Sequence, residues 1–396
     1  MQTAYDPPAT FRTALEHALD VAAGAAGHHD FGPDDFKSGL KVLLQSMDYD
    51  PKFSEGGRRL AWGMVVDVLA GRAHAVQSMK DNPGFDAAPI LAPVVITGVP
   101  RTGTTALHRL MALDRRFQGL QTWLLDSPMP RPPIETWGDY PEFRKSAQLL
   151  EAHYAATPEA MAMHYRAAEE VHECCMLLRQ SFVSNLWSCG WSSGTYDAWW
   201  QSTSEAPAYA WYRRCVQLIG SSEPEKRWLL KNPGHIDNLD LLFAVFPDAK
   251  VIQTHRDPAK AVPSLVSLLI RMHPIIEEGR LDQRGEIMLR REVAKWSNAV
   301  HRCDKVRASH PGQVLDVVHG DFHRDPMGVV ERIYAFIGIE IDDTTRAGFA
   351  QRIAEKPELQ HGVHSYDIAD YGMSAEEARE PFGDYIQRYD LVETRR

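Results

Sequence analysis

A glycine-bounded turn between a buried strand and a helix constrains this chain more than any other feature of its sequence. Residues 93–97, Pro-Val-Val-Ile-Thr, form an apolar, β-branched run that is typical of a buried strand. The turn Gly98 to Thr105 follows, and apolar residues then recur at helical spacing. Backbone N–H groups of such a loop can surround a phosphate, and the positive end of the helix dipole stabilises it. The segment therefore predicts a phosphate-binding unit.

This loop differs from the loop of nucleotide hydrolases, which ends in Gly-Lys-Ser/Thr and uses its lysine to bridge the β- and γ-phosphates. Thr104 occupies the position of that lysine, and Arg101 supplies positive charge from within the loop. The loop therefore favours a phosphate without a γ-phosphoryl group. The alternative is a strand–helix turn that binds nothing. The candidate ligand-binding residues are Arg101, Thr102, Gly103, Thr104 and Thr105.

Strand and helix patterns alternate again further along the chain. The strand candidates are residues 228–230, 250–254 and 314–318. Strands that alternate with helices indicate an α/β fold, a three-layer arrangement of a parallel sheet with helices on both faces. Residues 1–90 are predicted to form a helical N-terminal region packed on the core of a domain over 91–396. Within that domain, about 120–225 is predicted to be a helical insertion rich in Trp and Tyr.

A second motif, Thr-His-Arg-Asp-Pro, follows the predicted strand 250–254. It contains Arg256, and Ser264 lies eight residues further on. An arginine at the carboxyl end of a strand and a serine on the next helix can converge on one anion, as a forked charged donor and a short neutral one. Pro263 predicts a kink or restart of that helix, which would place Ser264 beside free N–H groups.

Together the two motifs resemble the sulfotransferase family that uses 3′-phosphoadenosine 5′-phosphosulfate (PAPS), and its bacterial branch most closely. In members of this family, the loop that holds the 5′-phosphosulfate has a sequence similar to Pro-Arg-Ser/Thr-Gly-Thr-Thr. They also carry an Arg, and a Ser eight residues later, that hold the 3′-phosphate. Leu230 to His235 and Phe246 to Ala249 are also similar to patterns of bacterial members. The resemblance covers about residues 90 to 390, and it implies a P-loop NTPase-like fold.

The resemblance implies PAPS as co-substrate, adenosine 3′,5′-bisphosphate as product, and no metal. Transfer would be an in-line displacement in which the protein aligns the reactants and stabilises charge. Many animal cytosolic members have a Trp after Thr-Thr that stacks on adenine. This chain has Ala106 there, so its adenine contact stays unassigned.

Lys231 is the predicted charge stabiliser, because it ends a predicted strand at the edge where parallel sheets bind ligands. Two residues are candidates for the general base. His235 has a suitable reference pKa and is slightly favoured. In animal relatives the base is a His two residues after the Lys, but that position is Pro233 here. The alternative is Glu170, because bacterial relatives often carry acidic residues at the corresponding position.

The stretch around Glu170 is predicted to be helical. On a helix, Glu169, His172 and Glu173 share one face and Glu170 points elsewhere. The alternative for both His235 and Glu170 is a structural role, as a salt-bridged or capping residue.

The aromatic residues of the insertion have two interpretations: they wall a pocket for an apolar or aromatic acceptor, or they form a core. These residues are Trp187, Trp191, Tyr196, Trp199, Trp200, Trp211 and Tyr212. The acceptor is expected to be a small molecule that carries a hydroxyl or an amine.

The composition of the chain limits the partners and the cellular compartment that are expected. The net charge of −10 argues against a nucleic-acid partner. The start of the chain lacks the pattern of a signal peptide, and a run of ~18 apolar residues is missing, so no integral membrane segment is expected. Five cysteines without metal-ligand spacing suit a reducing cytoplasm. A homodimer is left open. Two other functions are kept as alternatives: a P-loop-like small-molecule kinase and a non-catalytic nucleotide-binding protein.

Overall fold

The structure, a computed structural model, describes residues 5–87, 89–156, 165–271, 273–355 and 366–392, without the side chains of 156, 281 and 282. The strands are β1 (Val94–Gly98), β2 (Phe117–Gln118), β3 (Arg227–Lys231), β4 (Lys250–His255) and β5 (Val314–Val318). The α-helices are α1 (Leu15–Ala26), α2 (Phe36–Tyr49), α3 (Glu55–Asp81), α4 (Thr104–Met111), α5 (Thr122–Asp126), α6 (Pro141–Ala156), α7 (Cys175–Leu178), α8 (Gly194–Gln201), α9 (Ala206–Gly220), α10 (Leu239–Val245), α11 (Pro258–Leu269), α12 (His273–Ile276), α13 (Leu281–Ala308), α14 (His319–Arg324), α15 (Pro326–Ile337), α16 (Asp343–Glu355), α17 (Ala375–Arg379) and α18 (Tyr385–Arg388). Short 3₁₀ helices span Ile134–Asp139, Arg179–Ser181, Asn185–Ser188, Pro233–Ile236, Ile368–Tyr371 and Glu380–Phe382.

The chain divides into two units. The helical unit comprises Met1–Pro89, Leu120–Glu225 and Arg271–Gly279. The sheet unit comprises Ile90–Gly119, Lys226–Ile270 and Arg280–Arg396. The N-terminal helices therefore group with the predicted insertion. That residues 1–90 pack on the core of a domain over 91–396 stays a prediction.

The sheet unit contains the predicted parallel sheet, which has five strands in the order β2-β3-β1-β4-β5. On one face, Ile96 of β1 and Ile252 of β4 pack in a core with side chains of α4 and α15. Strand side chains alternate between faces, so Val251 and Gln253 point to the other one. There Gln253 Oε1 accepts a hydrogen bond of 2.7 Å from Arg307 of α13. Helices thus cover both faces, and the predicted α/β class is confirmed.

The helical unit is built around an aromatic core. Trp187, Trp191, Tyr196 and Trp200 are buried there with residues of α1, α2 and α3. The ring of Trp187 stacks on Phe182 with 5.1 Å between centroids. Trp199 packs against the same core, and Trp211 and Tyr212 are also buried. Of the two interpretations of this aromatic stretch, the core is the one that the geometry of the helical unit supports.

One stretch among the described residues, Pro258–Ile276, is long and apolar enough to cross a membrane by length and composition. Its most apolar window has a mean hydropathy of 1.2, and 53% of that window is buried. Helix α11, which forms most of it, buries nine of its residues and packs against α13. A core helix of a globular domain has these same properties. The stretch is therefore weak evidence for a membrane segment.

Candidate active site

The turn between β1 and α4 adopts a backbone that few residues tolerate. Gly98 has φ 143° and Gly103 has φ 91°. A Cβ at Gly98 would lie 2.4 Å from the carbonyl oxygen of Thr254, so a side chain cannot fit. Arg101 has φ 69°, a left-handed conformation that is rare for a residue with a side chain. Strain of this kind accumulates at ligand-binding sites, where surrounding contacts hold it.

Hydroxyl groups fasten this loop to the neighbouring strand. Thr102 Oγ1 donates to the carbonyl oxygen of Val99 at 2.7 Å and lies 2.5 Å from Thr254 Oγ1 on β4. Thr254 Oγ1 donates to the carbonyl oxygen of Thr97 at 3.1 Å. The hydroxyl of Thr102 is thus engaged inside the protein, and its role at this site is to hold the loop.

The two sequence motifs meet in the sheet unit. Arg101 Nε donates to Ser264 Oγ at 3.1 Å, and Arg256 Nη1 donates to the carbonyl oxygen of Arg101 at 3.0 Å. The Nε of Arg256 is buried and has no hydrogen-bond partner among the described residues. Two guanidinium groups and a serine hydroxyl therefore converge beside a helix N-terminus, an arrangement of donors that suits an anion with several oxygens.

The predicted restart at Pro263 is wrong, because α11 runs without interruption from Pro258 to Leu269. Asp257 caps this helix, with its Oδ1 accepting from the N–H of Ala259 at 3.0 Å. Its carbonyl oxygen accepts from the N–H groups of Lys260 and Ala261, both at 2.9 Å. A proline inside a helix removes one backbone hydrogen bond. The cap and the first turn hold the helix without that bond, and Ser264 sits inside α11.

Lys231 reaches the other end of the loop. It is the last residue of β3 and pairs with Ile96 of β1 in the sheet register. Its Nζ donates at 3.2 Å to Oγ1 of Thr105, which lies in the first turn of α4. Lys231 is only 1% exposed, so water screens its charge little. It can therefore stabilise negative charge that develops near Thr105.

His235 lies close to Lys231 in the chain, in a 3₁₀ turn over Pro233–Ile236. Asn232 holds this turn, because its side-chain oxygen accepts from the N–H of Gly234 at 3.1 Å. Thr97 Oγ1 donates to the carbonyl oxygen of Asn232 at 3.0 Å and so ties the turn to β1. The His235 side chain is 0% exposed within the structure.

Glu170 belongs to the helical unit, and the prediction that its stretch is helical is wrong. Val171 instead forms an antiparallel bridge with Gln121. The carbonyl oxygen of Glu170 accepts from the N–H of Thr122 at 3.0 Å, and that of Ala168 accepts from Trp123 at 3.2 Å. The carbonyl groups of this stretch thus bond to α5 instead of to N–H groups four residues further along. A helical face shared by the neighbouring acidic residues does not exist.

His319 was not singled out in the sequence, yet it lies against the loop. A Cβ at Gly103 would come within 3.3 Å of His319 Cδ2. The Nδ1 of His319 is buried and unbonded among the described residues, and its Nε2 is 3.0 Å from Nε2 of His323. Burial, with the charges of Arg256 and His323, lowers the pKa of His319 to about 3. The available signal was its position directly after β5, at the same sheet edge as Lys231 and Arg256.

Metal ligands are not grouped in the part of the chain that the structure describes: no three His, Cys, Asp or Glu side chains lie where they could hold an ion. The described site therefore consists of cationic side chains, hydroxyl groups and loop N–H groups. Such a set binds and stabilises negative charge.

Comparisons with known proteins agree on one family. The sulfotransferase family description matches residues 93–343. Omega-hydroxy-beta-dihydromenaquinone-9 sulfotransferase Stf3 of Mycobacterium bovis is 24% identical over 338 residues, which are 83% of this chain and 80% of that protein. The crystal structure of sulfotransferase STF1 from Mycobacterium tuberculosis is 32% identical with a TM-score of 0.83, covering 97% of this chain and 100% of that one. Sulfotransferase STF9 from Mycobacterium avium is 25% identical with a TM-score of 0.88, covering 98% of each chain.

Proposed function

The chain belongs to the sulfotransferase family, and from this premise we propose that it transfers the sulfuryl group of PAPS to a hydroxyl group of a small, apolar acceptor. The observation that carries the proposal is the meeting of the two motifs. Arg101 bonds Ser264, and Arg256 bonds the backbone of Arg101, so the two motifs lie side by side in the sheet unit. A loop without the lysine of nucleotide hydrolases supports a donor other than ATP.

The donor is proposed to bind across both motifs. Arg101 and the backbone N–H groups of Thr102, Gly103, Thr104 and Thr105 bind the 5′-phosphosulfate. Arg256 and Ser264 bind the 3′-phosphate. The buried Nε of Arg256, which has no partner among the described residues, supports this assignment, because a phosphate oxygen is a suitable acceptor for it.

Transfer is proposed to follow an in-line displacement. The acceptor oxygen forms a bond to sulfur while the bond between sulfur and the bridging oxygen of the 5′-phosphate breaks. The acceptor proton passes to the general base, and the products are a sulfate ester and adenosine 3′,5′-bisphosphate. Lys231 stabilises the charge that develops on the bridging oxygen. Its burial and its bond to Thr105 support this role.

The general base is proposed to be Glu170 or His235. A base must come within about 2.6–3.2 Å of the proton that it removes. His235 is buried in the sheet unit, as is Lys231 four residues before it. Glu170 is half-buried in the helical unit, and its assignment rests on the resemblance. Glu170→Gln and His235→Asn separate the two: the base variant loses about 10²–10⁴-fold in kcat, and the other keeps its kcat. Full activity in both variants would exclude both residues.

The acceptor class is proposed from a relative. Stf3 is named as a sulfotransferase of omega-hydroxy-beta-dihydromenaquinone-9, a molecule with a hydroxyl group on an apolar body. A relative at 24% identity does not identify the acceptor of this chain, so the proposal is limited to apolar alcohols and phenols.

The experiment is a turnover assay with PAPS and a panel of phenols, sterols, long-chain alcohols and quinols, measured as release of adenosine 3′,5′-bisphosphate. The wild-type chain is expected to release it only with a hydroxyl acceptor. Lys231→Met should lower kcat by about 100-fold or more, as loss of one buried charge stabiliser does. Lys305→Met, at an exposed lysine of α13, is the control and should keep wild-type kcat. Turnover of ATP instead of PAPS would overturn the proposal.

A further inference from the structure

The residues on both sides of Arg256 are held by the same distant part of the chain. We call residues 374–391, which contain α17 and α18, the C-terminal segment. Arg379 and Tyr385 of this segment bond to Asp257 and His255, respectively. Arg256, the proposed ligand of the 3′-phosphate, stands between these two anchored residues.

The anchor after Arg256 is a forked ion pair. Arg379 Nε donates to Asp257 Oδ1 at 3.1 Å, and Arg379 Nη2 donates to Asp257 Oδ2 at 2.6 Å. The same Asp257 Oδ1 caps α11 through the N–H of Ala259. Because Asp257 is 4% exposed, the carboxylate is little screened, and two parallel bonds fix its plane. The pair therefore positions both the backbone next to Arg256 and the helix that carries Ser264.

The anchor before Arg256 is an aromatic and charged network. Tyr385 Oη lies 3.0 Å from Nδ1 of His255, and the ring of Tyr389 stacks on His255 at 3.8 Å. On its other side, His255 Nε2 lies 2.8 Å from Asp316 Oδ1, and Arg307 donates to both oxygens of Asp316. An ionised Asp316 accepts only, so Nε2 donates to it. The neutral ring then accepts at Nδ1 from Tyr385.

From these contacts we propose that the C-terminal segment positions Arg256 for the 3′-phosphate, with Arg379 as the positioning residue that acts through Asp257. The proposal rests on the proposed function, in which Arg256 binds that phosphate. The guanidinium of Arg256 is at the end of a long side chain, so a small shift of its backbone moves the charged fork. Misplacement by about 1 Å is enough to cost a binding group much of its effect.

A purely structural role for the segment makes a different prediction. Loosening the segment would then lower the stability of the protein. It would weaken the binding of both nucleotides equally, or leave the binding of both unchanged. A positioning role is selective: affinity for adenosine 3′,5′-bisphosphate falls, and affinity for adenosine 5′-phosphate stays. The ratio of the two dissociation constants is the readout that a structural role does not move.

The experiment is calorimetric titration of both nucleotides into the wild-type chain, Arg379→Gln and Arg379→Lys. Arg379→Gln is expected to lower the preference for the bisphosphate about tenfold, the effect of one lost charge-assisted contact, and to leave the affinity for adenosine 5′-phosphate within about twofold. Arg379→Lys keeps a cation without the fork and should restore part of the preference. The control is Arg346→Gln, which removes an ion pair with Glu331 between α16 and α15 of the same unit and should leave the ratio unchanged.

Three results would overturn the inference: Arg379→Gln keeps the full preference, it weakens both nucleotides equally, or Arg346→Gln lowers the ratio as much. If Arg379→Gln does not fold, Tyr385→Phe serves, because it removes the bond to His255 and keeps the ring; an unchanged ratio there is equally decisive. A wild-type chain with no preference for the bisphosphate overturns the proposed function itself. A wild-type preference that both variants retain overturns the inference alone.

Discussion

At the residue scale, each cationic group of the site is held by an atom of the protein itself. Arg101 bonds Ser264, Arg256 bonds the backbone of Arg101, and Lys231 bonds Thr105. The entropy cost of ordering these long side chains is thus incurred when the chain folds and not when a ligand binds. Binding of an anion then requires less reorganisation, which is the general advantage of preorganised donors.

The lowered pKa of His319 predicts how the stability of the folded chain depends on pH. Its pKa is about 3 in the folded chain, chiefly because of burial, against about 6.5 when it is unfolded. Between these values the unfolded chain binds a proton that the folded chain does not. Stability is therefore lost as pH falls from about 6.5 toward 3.

We expect the free energy of unfolding of the wild-type chain, measured by denaturant titration, to fall more between pH 7.5 and pH 5 than that of His319→Gln, which cannot titrate at this position. Parallel pH curves for the two proteins would contradict the assignment of a lowered pKa to His319.

At the scale of elements, the loop between β1 and α4 depends on Gly98 for close approach to β4. A Cβ there would lie 2.4 Å from the carbonyl oxygen of Thr254 and 2.6 Å from its Oγ1. Gly312 also has a positive φ, of 76°, but no atom lies within 4 Å of its Cβ position. Replacing each glycine by alanine therefore distinguishes the cost of backbone strain, present at both positions, from the cost of a steric clash, present only at Gly98.

Gly98→Ala should lower the free energy of unfolding by about 3 kcal/mol or more, because strain and a clash with backbone add together. Gly312→Ala, the matched control, should cost only about 1–2 kcal/mol for its left-handed backbone. Chemical denaturation of both variants measures the difference. Equal costs would contradict the tight approach of the loop to Thr254.

The sequence predicts four of the five strands, because each of the four is a short apolar run that must be buried; β2, with only Phe117 and Gln118, was missed. Val314–Val318 has the predicted bounds, and β1, β3 and β4 differ from prediction by a residue or two. The errors have tertiary causes. The stretch around Glu170 is not helical, because its carbonyl groups bond to α5, and α11 continues through Pro263 with Asp257 as its N-terminal cap. The bonds to α5 join residues that are distant in the chain, so local spacing cannot reveal them.

That Arg101, Arg256 and Ser264 come together, and that Lys231 reaches the same loop, was also predictable, because these residues carry chemistry at recognisable spacing; their role in donor binding is a proposal. His319 was not, because a lone histidine after a strand has no local signature. Its closeness to Gly103 follows from the strand order, in which β5 lies beside β4. Arg379 and Tyr385 were missed for the same reason: they are more than a hundred residues from the partners that they hold.

At the scale of the whole molecule, the two units carry different parts of the proposed function. The sheet unit holds the residues proposed to bind the donor, together with Lys231. The helical unit holds Glu170, and its Trp and Tyr side chains form its core. The donor site can therefore be tested without knowing the acceptor, because its residues lie within one unit.

The most direct test of the central claim, that this site binds a nucleotide through its 3′-phosphate, is calorimetric titration with adenosine 3′,5′-bisphosphate, adenosine 5′-phosphate and ATP. The wild-type chain is expected to bind the bisphosphate about 100-fold more tightly than the other two. Arg256→Ala should lose that preference, and Arg324→Ala, at an exposed arginine of α14, should retain it. Preference for ATP, or equal binding with and without the 3′-phosphate, would contradict the account.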